Sequence, residues 1–159
     1  LLYFGDLEFF ILVADKELKI TKVQQAPNTK LITDSSTILS IFNLVLENAV
    51  IASKPGGEVK ISLADSSETE GYIECTFTDC GSGLTPEELP LVFQKRVNME
   101  DPLLKGLGDK GVGLSVVKAM VEGLQGKVSA SSVPDVGTTI KIDLPRNIAG
   151  SFQPVSPEG

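Results

Sequence analysis

The chain has 159 residues, a formal net charge of −7, and a composition of 42% hydrophobic and 22% charged residues. This length fits one domain with a real core, and the composition is typical of a globular protein rather than a disordered one. The negative charge, without a stripe of Lys and Arg, argues against a nucleic-acid partner. The chain has two cysteines and no histidine. It therefore lacks the residues needed for a zinc site, a disulfide framework or a Ser/His or Cys/His catalytic pair.

The first third of the chain predicts a strand and then a long helix. Asp6 can cap a short apolar segment through Ala14, and residues 18–24 have the pattern of a strand. From Asp34, apolar residues recur at steps of three and four until the Pro-Gly-Gly run at 55–57, which predicts a helix with Asn48 near its end. The apolar runs before it are far shorter than the ~20 residues of a membrane span, so no transmembrane or signal segment is expected.

The middle of the chain predicts two antiparallel strands. Apolar and polar residues alternate over 59–63 and again over 73–77, with a polar loop from Asp65 to Gly71 between them. The second strand delivers Asp79 at its exit. Thr85-Pro86-Glu87-Glu88 then forms a capping box that predicts a short helix toward Phe93.

The last third predicts a loop, a helix and a hairpin. Residues 94–107 show no period, and loops of that length are uncommon unless functional. A helix is expected from Val112 with Gly126 as its stop, followed by strands over 127–132 and 138–144. The expected division is one domain over residues 1–146, with its core at 30–146, and a flexible C-terminal tail over 147–159.

Two glycine clusters are the most informative feature of the sequence. The first is Asp79-Cys80-Gly81-Ser82-Gly83, and the second runs from Gly108 to Leu114 and opens an apolar helix. A carboxylate beside permissive glycines, followed by a glycine-rich helix start, can hold a base at one end and phosphates at the other. The G-x-G-x-x-G at 106–111 follows no predicted strand, so a Rossmann site is not favoured, and no P-loop motif occurs.

These segments resemble the N, G1, F and G2 boxes of the GHKL ATPase superfamily, most closely the catalytic and ATP-binding domain of sensor histidine kinases. The resemblance covers residues 30–146 and is carried by Leu44-Val45-Leu46-Glu47-Asn48-Ala49, Asp79-x-Gly81-x-Gly83, Phe93, Gly108-x-x-Gly111-x-Gly113-Leu114 and Gly137-Thr138. It implies an α/β (α+β) fold, namely a two-layer sandwich of the Bergerat type. Its sheet is expected to be mixed but mainly antiparallel, with helices on one face.

For the base end of the site, the resemblance implies that Asp79 accepts the amino hydrogen of adenine. Gly81 and Gly83 would let the backbone pass close to the base, and Thr138 would support Asp79. Phe93 would anchor a lid that runs to Leu107.

For the phosphate end, the resemblance implies that Asn48 ligates a Mg²⁺ ion that bridges the phosphates of ATP. The N-terminus of the next helix would face the phosphates. The residues concerned are Gly108, Lys110, Gly111, Val112, Gly113 and Leu114, with Lys110 as a point charge.

The activity implied is transfer of the γ-phosphoryl group of ATP to a histidine on a separate His-containing dimerisation domain, with Mg²⁺ as cofactor. The chain alone would be inactive as a kinase. A response regulator is the second expected partner, the domain itself would not touch a membrane, and the expected compartment is the cytoplasm.

Two alternatives stay open, and a third function is disfavoured. A GHKL protein-serine kinase would use the same pocket. A degenerate nucleotide-sensing module is suggested by Ile51 and Ala52, which stand where related kinases carry a basic and often an aromatic residue. Hydrolysis is disfavoured because Leu44 stands where hydrolysing relatives carry Glu, and Glu47 lies about 100° around the helix from Asn48.

Cys80 is interpreted as a filler residue rather than a redox sensor.

Overall fold

Strands with alternating apolar side chains form one five-stranded sheet. The structure is a computed structural model that describes residues 13–94 and 110–147, and for residues 110–112 it describes the backbone alone. The strand order is β1-β2-β3-β5-β4. The strands are Lys19–Gln24 (β1), Glu58–Asp65 (β2), Tyr72–Thr78 (β3), Lys127–Val133 (β4) and Gly137–Pro145 (β5). Only the β1–β2 pair is parallel among these strands, so the sheet is mixed and mainly antiparallel as predicted.

Two helices pack on one face of the sheet. They are Ser35–Ala52 (α1) and Lys110–Gly123 (α2). The inward side chains of the sheet meet them, and the largest of these, Phe77, packs edge-to-face on Phe42 of α1 at 5.5 Å between ring centroids. Burying each large apolar side chain stabilises the fold by about 1.5–3 kcal/mol. The predicted two-layer α/β sandwich is therefore confirmed.

Helix α1 begins where the sequence predicts. The carboxylate of Asp34 accepts the backbone N–H groups of Ser36 and Thr37 and the hydroxyl of Thr37. The Thr37 hydroxyl, followed by these amides, lowers the pKa of Asp34 below its ordinary value. Since the folded-state pKa is lowered, the cap contributes fully above the unfolded pKa of Asp34, and its contribution is lost as the pH falls through the folded pKa.

The length and hydropathy of α1 also satisfy a simple test for a membrane span. Its mean hydropathy is 1.5 over 18 residues. Its inner side nevertheless forms part of the domain core, where Ile41, Val45, Leu46, Ala49 and Val50 are buried. An apolar helix in a protein core passes the same test, so the hydropathy of α1 is weak evidence for a membrane span.

Lys16 caps the C-terminal end of α1, which the sequence did not indicate. Its ammonium group donates hydrogen bonds to the carbonyl oxygens of Val50, Ile51 and Ser53 at 3.1, 2.7 and 3.1 Å. The last carbonyls of a helix lack partners within the helix and carry partial negative charge. The lysine therefore supplies both hydrogen bonds and charge compensation.

Replacing Lys16 with Met is expected to lower the free energy of unfolding by about 1–2 kcal/mol, because charge-assisted bonds to three carbonyls are lost. Urea unfolding followed by circular dichroism measures this value. Lys19→Met, at an exposed position of β1, is the control and should change little. An equal loss in both variants would contradict the capping role.

The capping box at Thr85 forms, but the short helix predicted after it is only a single 3-10 turn. The N–H of Thr85 donates to Glu88 at 2.9 Å, and the N–H of Glu88 donates to the Thr85 hydroxyl at 3.2 Å. The chain then makes a turn and a short 3-10 helix, Leu89–Leu91. Pro90 explains the difference, because it has no N–H to bond the carbonyl of Pro86 in an α-helix.

The end of α2 also differs in detail from the prediction. Gln125, rather than Gly126, takes the left-handed conformation with φ 61°. The N–H of Gly126 bonds the carbonyl of Val121 at 2.9 Å. A Cβ on Gly126 would lie 2.5 Å from the carbonyl oxygen of Asp143, so this glycine is required by close packing rather than by its φ.

The remaining predicted strands and the hairpin are confirmed. The Asp6-capped segment, most of the loop over 94–107 and the tail beyond residue 147 lie outside the described residues.

Candidate active site

A cavity of about 200 Å³ lies between α1 and the sheet. Its apolar walls include Val45 and Ala49 of α1, Phe77 of β3 and Ile140 of β5. Its polar lining includes Asp79 and Thr138, which are hydrogen-bonded to each other, and Asn48 of α1. An apolar slot with a few converging polar groups is the usual form of a small-molecule site.

The carboxylate of Asp79 is held by two backbone amides. Its Oδ1 accepts the N–H of Gly81 at 2.9 Å and the N–H of Thr138 at 3.1 Å. The N–H of Asp79 in turn donates to the carbonyl of Thr138 at 2.9 Å. Because β3 and β5 are neighbours in the sheet, the residue that leaves β3 meets the start of β5. Sheet pairing thus brings together two residues 59 positions apart.

The glycines of the first cluster are required by close backbone contacts. Gly83 has φ 70°, and a Cβ there would overlap the carbonyl of Val133. A Cβ on Gly81 would lie 2.5 Å from the carbonyl oxygen of Ala52 at the end of α1. The two glycines therefore let this loop lie against both α1 and the β4–β5 hairpin.

Asn48 also lines the cavity and lies beside the first turn of α2. Its Nδ2 donates to the carbonyl of Leu44 one turn earlier at 2.8 Å. A Cβ on Gly113 would lie 3.0 Å from this nitrogen, so α2 approaches Asn48 closely because residue 113 has no side chain. With Nδ2 engaged on the helix, the oxygen is the coordinating atom that the amide can offer. An amide oxygen suits a hard cation such as Mg²⁺.

The structure brings together most of the predicted site residues. Asn48, Asp79, Gly83, Leu114 and Thr138 line the cavity. Gly81 and Gly113 are packed next to Asp79 and Asn48. Lys110, Gly111 and Val112 lie in the first turn of α2, where the backbone alone is described, and Gly108 lies outside the described residues.

Ser132 and Ser53 contact the site without having been predicted. The hydroxyl of Ser132 accepts the N–H of Leu84 at 2.7 Å and lies 2.8 Å from the hydroxyl of Thr138. Ser53 is buried, donates to the carbonyl of Ala49 and accepts the N–H of Cys80 at 3.4 Å. Neither serine belongs to a motif that the sequence distinguishes, so only the fold identifies them.

Carboxylates in the described part of the cavity are not arranged to activate water beside Asn48. Leu44 packs against the core, and Glu47 is exposed. Glu88 lines the cavity, but its carboxylate accepts the N–H of Thr85 in the capping box. Among the described residues there is also no cluster of three or more acidic, Cys or His side chains suited to a metal.

The two cysteines occupy different environments. Cys75 is buried in the core, and burial raises the pKa of its thiol far above the ordinary value. Cys80 is partly exposed, and its sulfur packs against Gly57. The contact is so close that a Cβ on residue 57 would collide with the Cys80 sulfur. Its packing agrees with the filler role expected of it.

Residues 33–148 match the family described as histidine kinase-, DNA gyrase B-, and HSP90-like ATPases. The chain belongs to this family, which confirms the resemblance drawn from its motifs. It is an ATP-binding domain of the GHKL type.

Curated relatives include sensor histidine kinases of Escherichia coli and Bacillus subtilis. DcuS of Escherichia coli K12 is 28% identical over 130 residues, which are 80% of this chain and 22% of DcuS. WalK of Bacillus subtilis strain 168 is 29% identical over 132 residues, which are 82% of this chain and 21% of WalK. The chain therefore spans about a fifth of the length of these relatives.

Solved structures give the same fold. The mycobacterial sensor histidine kinase MprB is 27% identical with a TM-score of 0.66, and the match covers 87% of this chain and 90% of that one. Full-length ShkA, solved in complex with AMPPNP, has a TM-score of 0.71 at 20% identity, and the match covers 85% of this chain and 27% of ShkA. The likeness to ShkA establishes the fold alone.

Proposed function

We propose that this chain is the ATP-binding catalytic domain of a sensor histidine kinase, which transfers the γ-phosphoryl group of ATP to a histidine on a separate dimerisation domain. The observation that carries the proposal is a cavity lined both by Asp79, which two backbone amides fix, and by Asn48, which lies beside the start of α2. Since the chain contains no histidine, the phosphoryl acceptor belongs to another part of the protein or to another chain.

At the base end, Asp79 accepts a hydrogen of the adenine amino group. A carboxylate offers about four lone-pair positions, so it can accept a ligand donor as well as the two amides of Gly81 and Thr138. These amides fix the direction of the carboxylate before the base arrives, which reduces the entropy lost on binding. The apolar walls from Val45, Ala49 and Ile140 exclude water from the faces of the base.

At the phosphate end, Asn48 holds a Mg²⁺ ion through its amide oxygen, and the α2 amides at Gly111 and Gly113 face the phosphates. Gly108 and Lys110 complete this end of the proposed site. A Mg²⁺ ion held there would supply positive charge that neutralises the phosphates during transfer. One protein ligand is sufficient, because Mg²⁺ usually keeps water and takes phosphate oxygens as its other ligands.

Transfer to a protein side chain is favoured over hydrolysis. Leu44 presents an apolar group one turn before Asn48, and Glu47 points to solvent. Among the residues that the structure describes, these two positions offer no base for activating water beside Asn48, which favours a γ-phosphoryl group that persists until a nucleophile from the partner domain approaches. Positioning then supplies most of the catalysis.

The proposal also covers the partners, the compartment and the limits of the domain. The partners are a His-containing dimerisation domain and a response regulator, the compartment is the cytoplasm, and residues 1–146 form the domain before a tail at 147–159. A net charge of −7 fits the absence of nucleic acid among the partners.

The test is a transfer assay with Mg²⁺ and ATP labelled at the γ position. The chain is mixed with candidate His-containing helical domains, and a label that is lost in acid and retained in base identifies phosphohistidine. Asp79→Asn serves as the negative control. A label that survives acid would instead indicate a serine kinase, and tight ATP binding without transfer to any candidate would indicate a nucleotide-sensing module.

A further inference from the structure

The hydroxyl of Ser132 connects three segments of the site. Ser132 lies near the end of β4, is half-buried, and accepts the N–H of Leu84 at 2.7 Å. It donates to the carbonyl of Gly137 at 3.0 Å and lies 2.8 Å from the hydroxyl of Thr138. One side chain thus links the glycine loop after β3, the hairpin turn and the residue that faces the cavity beside Asp79.

These contacts determine where the hydroxyl hydrogen of Thr138 points. A serine hydroxyl has a single hydrogen, and that of Ser132 is directed to Gly137. In the contact with Thr138, Ser132 must then accept, and Thr138 must donate. The oxygen of Thr138, which lines the cavity, consequently presents lone pairs to it rather than a hydrogen.

We infer that Ser132 is a positioning residue that makes this end of the cavity an acceptor-only edge and so selects 6-aminopurine over 6-oxopurine nucleotides. The inference rests on the proposed binding of a purine base beside Asp79 and Thr138. An amino group at position 6 donates to such an edge. An oxo group there places its own lone pairs against those of Asp79 and Thr138, so that acceptors face each other with no hydrogen between them.

Removal of the Ser132 hydroxyl would release this constraint. The Thr138 hydroxyl could then rotate and donate toward the cavity, which would weaken the contact with a 6-amino group and relieve the conflict with a 6-oxo group. The N–H of Leu84 would lose its partner as well, so the glycine loop would be held less firmly. The first effect changes discrimination between bases, whereas the second acts on both nucleotides alike.

The experiment compares ATP with ITP, in which an oxo group replaces the 6-amino group and N1 carries a hydrogen, by calorimetric titration of the full 159-residue chain. In Ser132→Ala we expect the affinity for ATP to fall about fivefold to tenfold and the ratio of ATP to ITP affinities to fall about fivefold. Ser131→Ala removes the same group from the adjacent, exposed position of β4 and should leave the ratio unchanged. Ser132→Thr keeps a hydroxyl and should retain the ratio. The melting temperature of each nucleotide-free variant shows that it is folded.

An unchanged ratio in folded Ser132→Ala, or an equal fall for both nucleotides, would overturn the inference and leave Ser132 with a structural role. In either case binding of ATP by the wild-type chain would leave the proposed function standing. Failure of the wild-type chain to bind either nucleotide would overturn both.

Discussion

Replacing Asp79 with Asn is expected to abolish the binding of adenine nucleotides while the domain remains folded. The asparagine oxygen can still accept the N–H groups of Gly81 and Thr138, which now hold Oδ1 of the carboxylate. That arrangement turns the new amide NH₂ group to the side where the base requires an acceptor. Two donors then face each other, and we expect the affinity for ATP to fall by about 100-fold or more.

Thermal shift with and without ATP measures this effect. The wild-type chain should be stabilised by saturating ATP and the variant should not, while the melting temperatures without nucleotide should differ by only a few degrees. Asp135→Asn makes the same chemical change at an exposed turn position near the site, where an asparagine tolerates the φ of 64°. This control should respond to ATP like the wild type. A wild-type response in Asp79→Asn would contradict the role of Asp79.

The sequence predicted those parts of the site that depend on backbone geometry. Gly83 must be glycine because of its φ and the nearby Val133 carbonyl, and Gly113 because α2 approaches Asn48. Such requirements place glycines at fixed spacings, and this pattern can be recognised in the sequence. The alternation over 73–77 similarly placed Asp79 at the end of a strand, and the fold then brought it to Thr138.

The parts that the sequence did not predict are those created by long-range contacts of ordinary residues. Lys16 reaches carbonyls more than 30 positions away, and Ser132 bonds Leu84 48 positions away. Neither residue type is unusual on a surface, so no local pattern distinguishes them. The shortened helix after Thr85 has a different cause, since Pro90 opposed a capping signal that was itself correct.

Replacing Asn48 with Ala is expected to remove the dependence of ATP binding on Mg²⁺ and to lower phosphoryl transfer by about 100-fold or more, because the proposed oxygen ligand is lost. The base end of the cavity is left intact. The lost bond from Nδ2 to the Leu44 carbonyl costs little, since alanine has the higher helix propensity, so stability should change by no more than about 1 kcal/mol.

The affinities to compare are those for ATP with Mg²⁺, ATP with a chelator, and adenosine. In the wild type Mg²⁺ should strengthen ATP binding, whereas in Asn48→Ala the first two values should converge and adenosine should bind as before. Asn43→Ala on the exposed side of α1 removes the same amide away from the cavity and should behave like the wild type. If adenosine binding fell as far as that of ATP with Mg²⁺, Asn48 would instead support the cavity wall. Because Gly113 packs directly beside this side chain, such a result would assign Asn48 to the joint between α1 and α2 rather than to the metal.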